Sequence, residues 1–351
     1  MANQATLFKI DENPIPSDAV VGFCTTEDEQ QIRYAHWKTQ RPKSHGTVLL
    51  LSGRSEFIEK NYETISDLRR NGYDVFTFDW RGQGGSSRIL NDAKVGFVET
   101  FDDYLKDLDT VFSSIVLPDC KAPFFIMGHS TGSLVALMAA PMLKNQIQKM
   151  VLGSPLLGLS NLPLPAPAIK LIAGALHVIG LGRLFVSGGR NPHTRRTFEN
   201  NKVTNDKRRF NLIQKFEREH DHLLIGGPSA TWVFSALRAM SKVVDSNFAS
   251  TLTIPTLLIC AGEDRLVDNH TTEYFGHRLR SGKTLTIDGA KHELLQEKDY
   301  YRNQFLAAFY AFTASSNPAA FKQAEQDDDA SASSNNENES EKGNELVAEK
   351  S

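Results

Sequence analysis

Short runs of apolar residues alternate with longer segments of helical periodicity along most of the chain. The apolar runs predict strands at residues 47–52, 74–78, 123–128, 149–153, 255–261 and 283–287. Helical patterns fill most of the intervals, at residues 58–71, 99–117, 131–144, 271–280 and 296–313. Because several runs are apolar throughout rather than alternating, they are typical of strands buried on both faces. This order predicts an α/β fold with a mostly parallel central sheet and helices on both faces.

Two departures from this alternation complete the predicted architecture. Residues 19–24 and 31–37 flank a short polar turn and predict an antiparallel pair of strands. Farther along the chain, about 90 residues separate two predicted strands, which is too long for a plain loop. We therefore predict a helical cap at residues 155–245, inserted into a core of residues 19–154 and 246–315.

The charge of the chain is unevenly distributed. The formal net charge is −3, yet residues 316–351 hold 9 acidic and 3 basic residues and few apolar ones. Such a segment cannot bury enough apolar surface to fold, so we predict a disordered acidic tail without a catalytic role. The predicted cap is basic, with 13 Lys and Arg residues against 6 Asp and Glu. Its basic middle comprises Arg190, Arg195, Arg196, Lys202, Lys207, Arg208 and Arg209.

A basic segment of this kind has two interpretations. Most charge runs are solvated faces. The sharper hypothesis is that the cap attracts an anionic substrate, or makes peripheral contact with an anionic membrane surface. The remaining body carries a net charge of −4, and we predict no nucleic-acid partner.

We expect neither a secretory signal nor a membrane-spanning segment in this sequence. Its first 18 residues lack the apolar stretch of a secretory signal, and its most apolar segment, residues 168–182, falls short of the roughly 20 residues that cross a bilayer. Cys24, Cys120 and Cys260 are far apart, so we interpret them as reduced thiols. These features predict a cytoplasmic location, with at most peripheral contact to the inner face of a membrane.

The clearest chemical signal is a Gly-x-Ser-x-Gly turn, Gly128-His129-Ser130-Thr131-Gly132, between a predicted strand and a predicted helix. The glycines allow the backbone to turn sharply there, and the turn exposes the hydroxyl of Ser130. The same turn places the amino terminus of a helix beside developing negative charge. We therefore predict that Ser130 is a nucleophile.

A serine hydroxyl is a weak nucleophile near neutral pH and needs a base and an orienting acid. Asp264 follows the apolar run at residues 255–261, and His292 follows the run at residues 283–287. Loops at the carboxyl ends of neighbouring parallel strands converge on one crevice. The order Ser130, Asp264, His292 is that of the α/β-hydrolases, so we predict these three residues as a catalytic triad.

Several neighbouring groups have alternative or supporting roles. Asp268 and Glu263 are alternatives to Asp264 as the acid. His129 is expected to point away from the reacting hydroxyl and to pack behind it. The backbone N–H groups of Thr131 and Arg54 are predicted to form the oxyanion hole. No metal-ligand spacing and no phosphate-binding Gly-rich loop is present, so we predict neither a metal nor a cofactor.

Five motifs follow one another in the chain: SGRSEF at residues 52–57, FDWRGQGGS at 78–86, GHSTG at 128–132, GED at 262–264 and KHE at 291–293. Together they resemble the lysophospholipase and monoacylglycerol lipase-like branch of the α/β-hydrolase superfamily, and its bacterial lysophospholipase L2 type in particular. The resemblance covers about residues 20–313. It implies the triad named above, an inserted cap, and hydrolysis of monoacyl lipid esters through an acyl-enzyme. Ser52 and Ser133 depart from it, standing where relatives commonly have His and Gly.

Four functional hypotheses follow. A lysophospholipase is favoured, because the apolar first third of the cap offers a wall for an acyl chain and the basic middle suits a phosphate. A monoacylglycerol lipase or general carboxylesterase is the first alternative. A serine aminopeptidase-like enzyme is the second, with Glu199, Glu217 and Glu219 as acids for a substrate amine. The third is a non-catalytic binding protein on a hydrolase fold.

Overall fold

The computed structural model describes residues 5–191 and 197–314 and contains one eight-stranded sheet. The strands are β1 Val20–Thr25, β2 Gln31–Trp37, β3 Thr47–Leu51, β4 Asp74–Phe78, β5 Phe124–His129, β6 Ile147–Gly153, β7 Thr256–Ala261 and β8 Gly282–Ile287. Their order across the sheet is β1-β2-β4-β3-β5-β6-β7-β8. The pairs β1–β2 and β2–β4 are antiparallel, and all other neighbours are parallel. The predicted fold class and all eight predicted strands are confirmed.

Helices fill the connections between the strands. They are α1 Tyr62–Arg70, α2 Phe101–Val111, α3 Leu117–Asp119, α4 Thr131–Leu143, α5 Ala166–Val178, α6 Lys207–Glu219, α7 Ala230–Val243, α8 Ser246–Thr251, α9 Asn269–Arg278 and α10 Asp299–Ala314. A π-helical segment, Phe112–Val116, joins α2 to α3, so the single helix predicted at residues 99–117 is three segments. Short 3-10 turns occupy Ile58–Asn61, Asp221–Leu223 and Leu294–Gln296.

Helices α5 to α8 lie between β6 and β7, and α5 to α7 fall within the interval where the sequence predicts a cap, whereas α8 follows it. The boundaries of that cap stay a prediction. Arg195, Arg196 and the predicted tail at residues 316–351 lie outside the described residues. None of the described helices combines the length and the hydrophobicity that crossing a membrane requires.

Burial explains why the central runs are apolar throughout. Every residue of β3, β4, β5 and β7 is buried. The edge strand β8 is mostly exposed, and it alternates polar and apolar residues. Helix α4 is buried over most of its surface, which accounts for its almost wholly apolar sequence and anchors the turn that precedes it.

The chain divides into two compact units, Met1–Leu306 and Ala307–Ser351. The first unit contains the whole sheet and helices α1 to α9. Of the second, the described residues 307–314 form the carboxyl half of α10.

Candidate active site

Ser130 occupies a strained turn between β5 and α4. Its φ of 50° and ψ of −111° lie in a region that residues other than glycine seldom adopt. Gly132 is required by a close backbone crossing, because a Cβ atom there would lie 2.3 Å from the carbonyl oxygen of Leu51 and 2.7 Å from that of Ser52. The turn therefore holds the serine where the end of β3 passes directly beside the start of α4.

His292 and Asp264 come together at the carboxyl ends of β8 and β7. Nδ1 of His292 lies 2.7 Å from Oδ2 of Asp264, whose side chain is fully buried. The other carboxylate oxygen accepts the backbone N–H groups of Leu266 and Val267, at 2.8 and 3.1 Å. Although burial opposes ionisation, the bond from His292 and these two N–H groups lower the pKa of Asp264. The carboxylate is thus a fixed acceptor placed for a proton on Nδ1.

The alternative acids have other surroundings. Asp268 caps the amino terminus of α9, where its carboxylate accepts the backbone N–H groups of His270 and Thr271. Glu263 is exposed. Of the three acids considered, the structure pairs only Asp264 with His292.

Ser130 and His292 line one cavity of about 240 Å³. Among the described residues, no hydrogen bond joins the Ser130 hydroxyl to His292; such catalytic bonds often tighten only with substrate bound. Arg54 and Thr131 line the same cavity. Thr131 is the first residue of α4, where backbone N–H groups lack acceptors within the helix, whereas the N–H of Gly53 is already donated to Glu56 Oε2 at 2.5 Å. The oxyanion hole formed by Arg54 and Thr131 stays a prediction.

The residues that line the cavity include an apolar group and a charged group, which we refer to as its apolar and charged walls. One wall is apolar and consists of Leu156, Leu159, Trp232, Leu266 and Val267. The other is charged and consists of Glu56, Lys60, Glu217 and Glu293. Within residues 5–191 and 197–314, no group of three or more His, Cys, Asp or Glu side chains is arranged to hold a metal ion.

A buried ionic network connects the segments that carry the predicted catalytic groups. Lys60 Nζ lies 2.8 Å from a carboxylate oxygen of Glu56 and 2.8 Å from one of Glu293, the residue after His292. The second oxygen of Glu56 contacts His129 Nδ1 at 3.2 Å. The sequence reasoning did not identify this network. The only sign of the network in the sequence was the spacing of Glu56 and Lys60, which are four residues apart beside the predicted oxyanion turn.

His129 is held at both ring nitrogens and lines the same cavity as Ser130, and its packing behind that hydroxyl stays a prediction. Nδ1 contacts Glu56, and Nε2 lies 3.2 Å from the backbone carbonyl oxygen of His292. Both partners are acceptors, so a doubly protonated ring satisfies both bonds. Burial alone would lower the pKa of His129, but Glu56 outweighs it and raises that pKa. Despite burial, Lys60 and His129 in turn hold the pKa of Glu56 well below its usual range.

Three of the described cations in the basic middle of the predicted cap pair with carboxylates, and one of them is Arg190, which pairs with Asp92. Arg209 is buried and forms ion pairs with Glu63 at 2.6 Å, Asp206 at 2.9 Å and Asp299 at 2.6 Å. Arg208 is exposed and lies 3.7 Å from Glu63. No described basic residue of this segment lines the cavity. The positions of the described side chains therefore do not support the hypothesis that they recognise a substrate phosphate.

The apolar first third of the insertion faces mainly outward. Only Leu156 and Leu159 from this part line the cavity. Large apolar side chains are instead exposed on α5 and in the segments beside it: Leu164, Leu171, Ile172, Val178, Ile179, Leu181, Leu184 and Val186. The predicted acyl-chain wall is thus smaller than expected, and an exposed apolar surface takes its place.

Comparison with known proteins places these features in a family. The sequence pattern of the family described as serine aminopeptidase, S33, matches residues 42–299. The chain is 29% identical over 295 residues to lysophospholipase L2 of Escherichia coli strain K12, covering 82% of this chain and 85% of the relative. It is 27% identical over 291 residues to monoglyceride lipase of Rattus norvegicus, covering 80% and 85%.

Solved structures share the fold. A soluble variant of monoglyceride lipase from Saccharomyces cerevisiae, in complex with a substrate analogue, superposes with a TM-score of 0.68 at 19% identity, over 86% of this chain and 97% of its own. A thermostable carboxyl esterase from Bacillus coagulans gives a TM-score of 0.67 at 16% identity, over 84% and 97%. These likenesses confirm the α/β-hydrolase architecture.

Proposed function

The chain belongs to the serine aminopeptidase S33 family within the α/β-hydrolase superfamily, and on that premise we propose that it cleaves the ester bond of monoacyl lipids as a lysophospholipase. The observation that carries the proposal is the buried His292–Asp264 pair at a cavity that the strained Ser130 also lines. Relatives named lysophospholipase L2 and monoglyceride lipase support lipid esters as the substrate class.

The proposed reaction follows from the positions of these groups. Asp264 holds the proton on Nδ1 of His292, so Nε2 is the nitrogen that accepts the Ser130 proton as the hydroxyl attacks the ester carbonyl. The backbone N–H groups of Arg54 and Thr131 stabilise the oxyanion. The glycerol-side oxygen leaves with the proton from His292, and an acyl-enzyme remains. Water deprotonated by His292 then releases the fatty acid.

The nucleophile is tested by replacing Ser130 with Ala. We expect kcat for a lysophospholipid to fall by about 10⁴-fold or more, and labelling by a fluorophosphonate probe to disappear. Ser133→Ala is the matched control: this buried serine lies one turn along α4 and donates to the Gly153 carbonyl, so its loss should leave labelling intact. Near-normal hydrolysis by folded Ser130→Ala protein would refute the mechanism. Failure of the folded wild type to label would favour the non-catalytic binding protein.

Head-group preference is tested separately from the mechanism. Hydrolysis of a lysophospholipid and of a monoacylglycerol of equal chain length distinguishes a lysophospholipase from a monoacylglycerol lipase. Cleavage of short aryl esters in preference to both would indicate a general carboxylesterase.

A serine aminopeptidase is the second candidate, and one observation favours it. Glu217 is buried and lines the cavity on the same wall as Glu56 and Glu293, where carboxylates suit a substrate amine. Glu199 and Glu219, the other acids considered, are exposed. A panel of aminoacyl arylamides tests this activity, and turnover faster than that of lipid esters would replace the lysophospholipase proposal.

Peripheral membrane contact by a cytoplasmic enzyme forms part of the proposal. Leu171, Ile172 and Val178 are exposed on α5, and the insertion carries a net positive charge. We expect the protein to sediment with vesicles that contain anionic lipid. The double variant Leu171→Asp, Val178→Asp should sediment less, while hydrolysis of a soluble aryl ester is unchanged. Equal sedimentation of variant and wild type would exclude this surface as the contact.

A further inference from the structure

Arg54 is a cation at the cavity whose hydrogen-bond partners among the described residues are all neutral. Its guanidinium donates to Ser55 Oγ at 3.0 Å and to the carbonyl oxygens of Gly226 and Gly227 at 3.0 and 2.8 Å. Its central carbon lies 5.1 Å from the ring centroid of Trp232, on the apolar wall. The Nε–H group is buried and finds no hydrogen-bond acceptor within residues 5–191 and 197–314. Arg54 thus keeps both its charge and one donor uncompensated.

The fully buried arginines have a different environment from the partly buried Arg54. Five arginines among the described residues are almost completely buried, and each pairs with a carboxylate: Arg33, Arg69, Arg81, Arg209 and Arg302. Within the described part of the chain, no carboxylate pairs with Arg54. Burial without a counter-charge lowers the pKa of Arg54 to about 10, so the side chain is still cationic near neutral pH.

A partly buried charge without a counter-charge and a buried donor without an acceptor are both costly, and folded proteins seldom retain them without a role. Here the cation lines the cavity of Ser130, and its own backbone N–H is a predicted oxyanion donor. The ester carbonyl of a bound substrate would lie at that N–H. An anionic group a few bonds from the ester would therefore lie close enough to the Arg54 guanidinium to be attracted by its charge.

We propose that the Arg54 side chain recognises the phosphate of the substrate head group and so selects lysophospholipids over neutral monoacylglycerols. The inference rests on the proposed function and assigns its head-group specificity to one residue. Guanidinium groups form strong charge-assisted hydrogen bonds with phosphate oxygens. The cation–π contact with Trp232 holds the planar group in place. A monoacylglycerol has no phosphate and gains nothing from this contact.

The test is the ratio of kcat/KM for a lysophospholipid to kcat/KM for a monoacylglycerol of the same acyl chain. Arg54→Gln removes the charge and keeps the backbone N–H, and we expect it to lower this ratio about 10- to 100-fold. Arg54→Lys keeps a charge and should retain part of the preference. It also serves as the second variant if Arg54→Gln folds poorly.

Arg88 offers a matched control. It too is partly buried, its guanidinium donates only to backbone carbonyl oxygens, and burial lowers its pKa to about 10. It does not line the cavity, and its Nε–H has an acceptor in Ala93. Arg88→Gln should therefore leave the substrate ratio unchanged.

An equal loss of activity towards both lipids in Arg54→Gln would overturn the inference and leave Arg54 as a structural link to Gly226 and Gly227. A second outcome would also overturn it. If Arg54→Gln left the ratio of the two kcat/KM values unchanged but weakened inhibition by the fatty acid product, the anion bound by Arg54 would be a carboxylate.

The inference can be tested even if the wild type cleaves neither lipid, in which case the proposed function fails by itself. Inhibition of aryl-ester hydrolysis by non-hydrolysable ether analogues of the two lipids then replaces turnover. Stronger inhibition by the phosphate-bearing analogue in the wild type than in Arg54→Gln supports phosphate recognition. Equal inhibition of both proteins overturns it.

Discussion

Two histidine–carboxylate pairs lie side by side at this site. His292 pairs with Asp264 and His129 pairs with Glu56, each through Nδ1, and the two rings are 5.0 Å apart. The pairs differ at the second nitrogen. That of His129 contacts the backbone carbonyl of His292, whereas among the described residues nothing is hydrogen bonded to Nε2 of His292. A histidine held at both nitrogens fixes structure, and one held at a single nitrogen is able to transfer a proton.

Replacing each histidine in turn is the strongest test of the different roles assigned to His292 and His129. His292→Gln should lower kcat by about 10⁴-fold or more, because no base remains for Ser130. His129→Gln should lower it only about 10-fold, through small shifts of the neighbouring loops. Steady-state hydrolysis of a lysophospholipid by both folded variants checks this. Equal losses would mean that the roles assigned to the two rings are wrong.

Replacing Asp264 should lower kcat much more than replacing Asp268. Asp264→Asn should reduce kcat about 10³- to 10⁴-fold, because an amide does not hold His292 in the required tautomer. Asp268→Asn is the control, since this residue caps α9 and Asn caps a helix about as well as Asp. Its kcat should stay near that of the wild type. A larger effect at Asp268 would identify it as the functional acid.

The second pair should matter chiefly for stability. Glu56→Gln removes one member of a buried ionic network and leaves Lys60 and His129 undercompensated, so we expect a loss of about 3 kcal/mol in the free energy of unfolding. Urea denaturation measures it. Glu263→Gln, at an exposed site, should change stability by less than about 0.5 kcal/mol. If Glu56→Gln left the free energy of unfolding unchanged, the ionic network would not contribute to stability.

The smallest effect is a dependence on pH. Because the folded state raises the pKa of His129, binding its proton stabilises the fold. That contribution is complete below the ordinary histidine pKa of about 6.5 and is lost as pH rises through the raised value. His129→Gln should therefore destabilise the protein more at about pH 6 than at about pH 9. Thermal unfolding at both values measures the difference, and an equal shift at both would mean that the ring is neutral.

The sheet could be predicted from the sequence because its buried strands are also the apolar runs of the chain. Every strand predicted from an apolar run is present, and the loops after β7 and β8 bring Asp264 to His292 as the parallel topology requires. The π-helical segment Phe112–Val116 was not predictable, since it interrupts a run whose helical periodicity is otherwise continuous.

The electrostatics could not be predicted from the sequence because pairing partners are distant along the chain. Arg209 counts as a free positive charge in the composition, but Glu63 and Asp299 neutralise it from other elements. Arg54 belongs to no charge run, yet among the described residues it is a cavity-lining cation without a carboxylate partner. A local count of charge records which groups are present. It does not record which of them the fold leaves without a partner.

The contact at Gly132 has a consequence for altering this protein in the laboratory. The start of α4 and the end of β3 meet backbone to backbone, and Leu51 is paired with Gly128 across adjacent strands. The distance between the two predicted oxyanion donors is therefore set by the sheet and not by any side chain. Mutational libraries directed at the cavity walls should change which molecules are accepted while the catalytic frame keeps its dimensions.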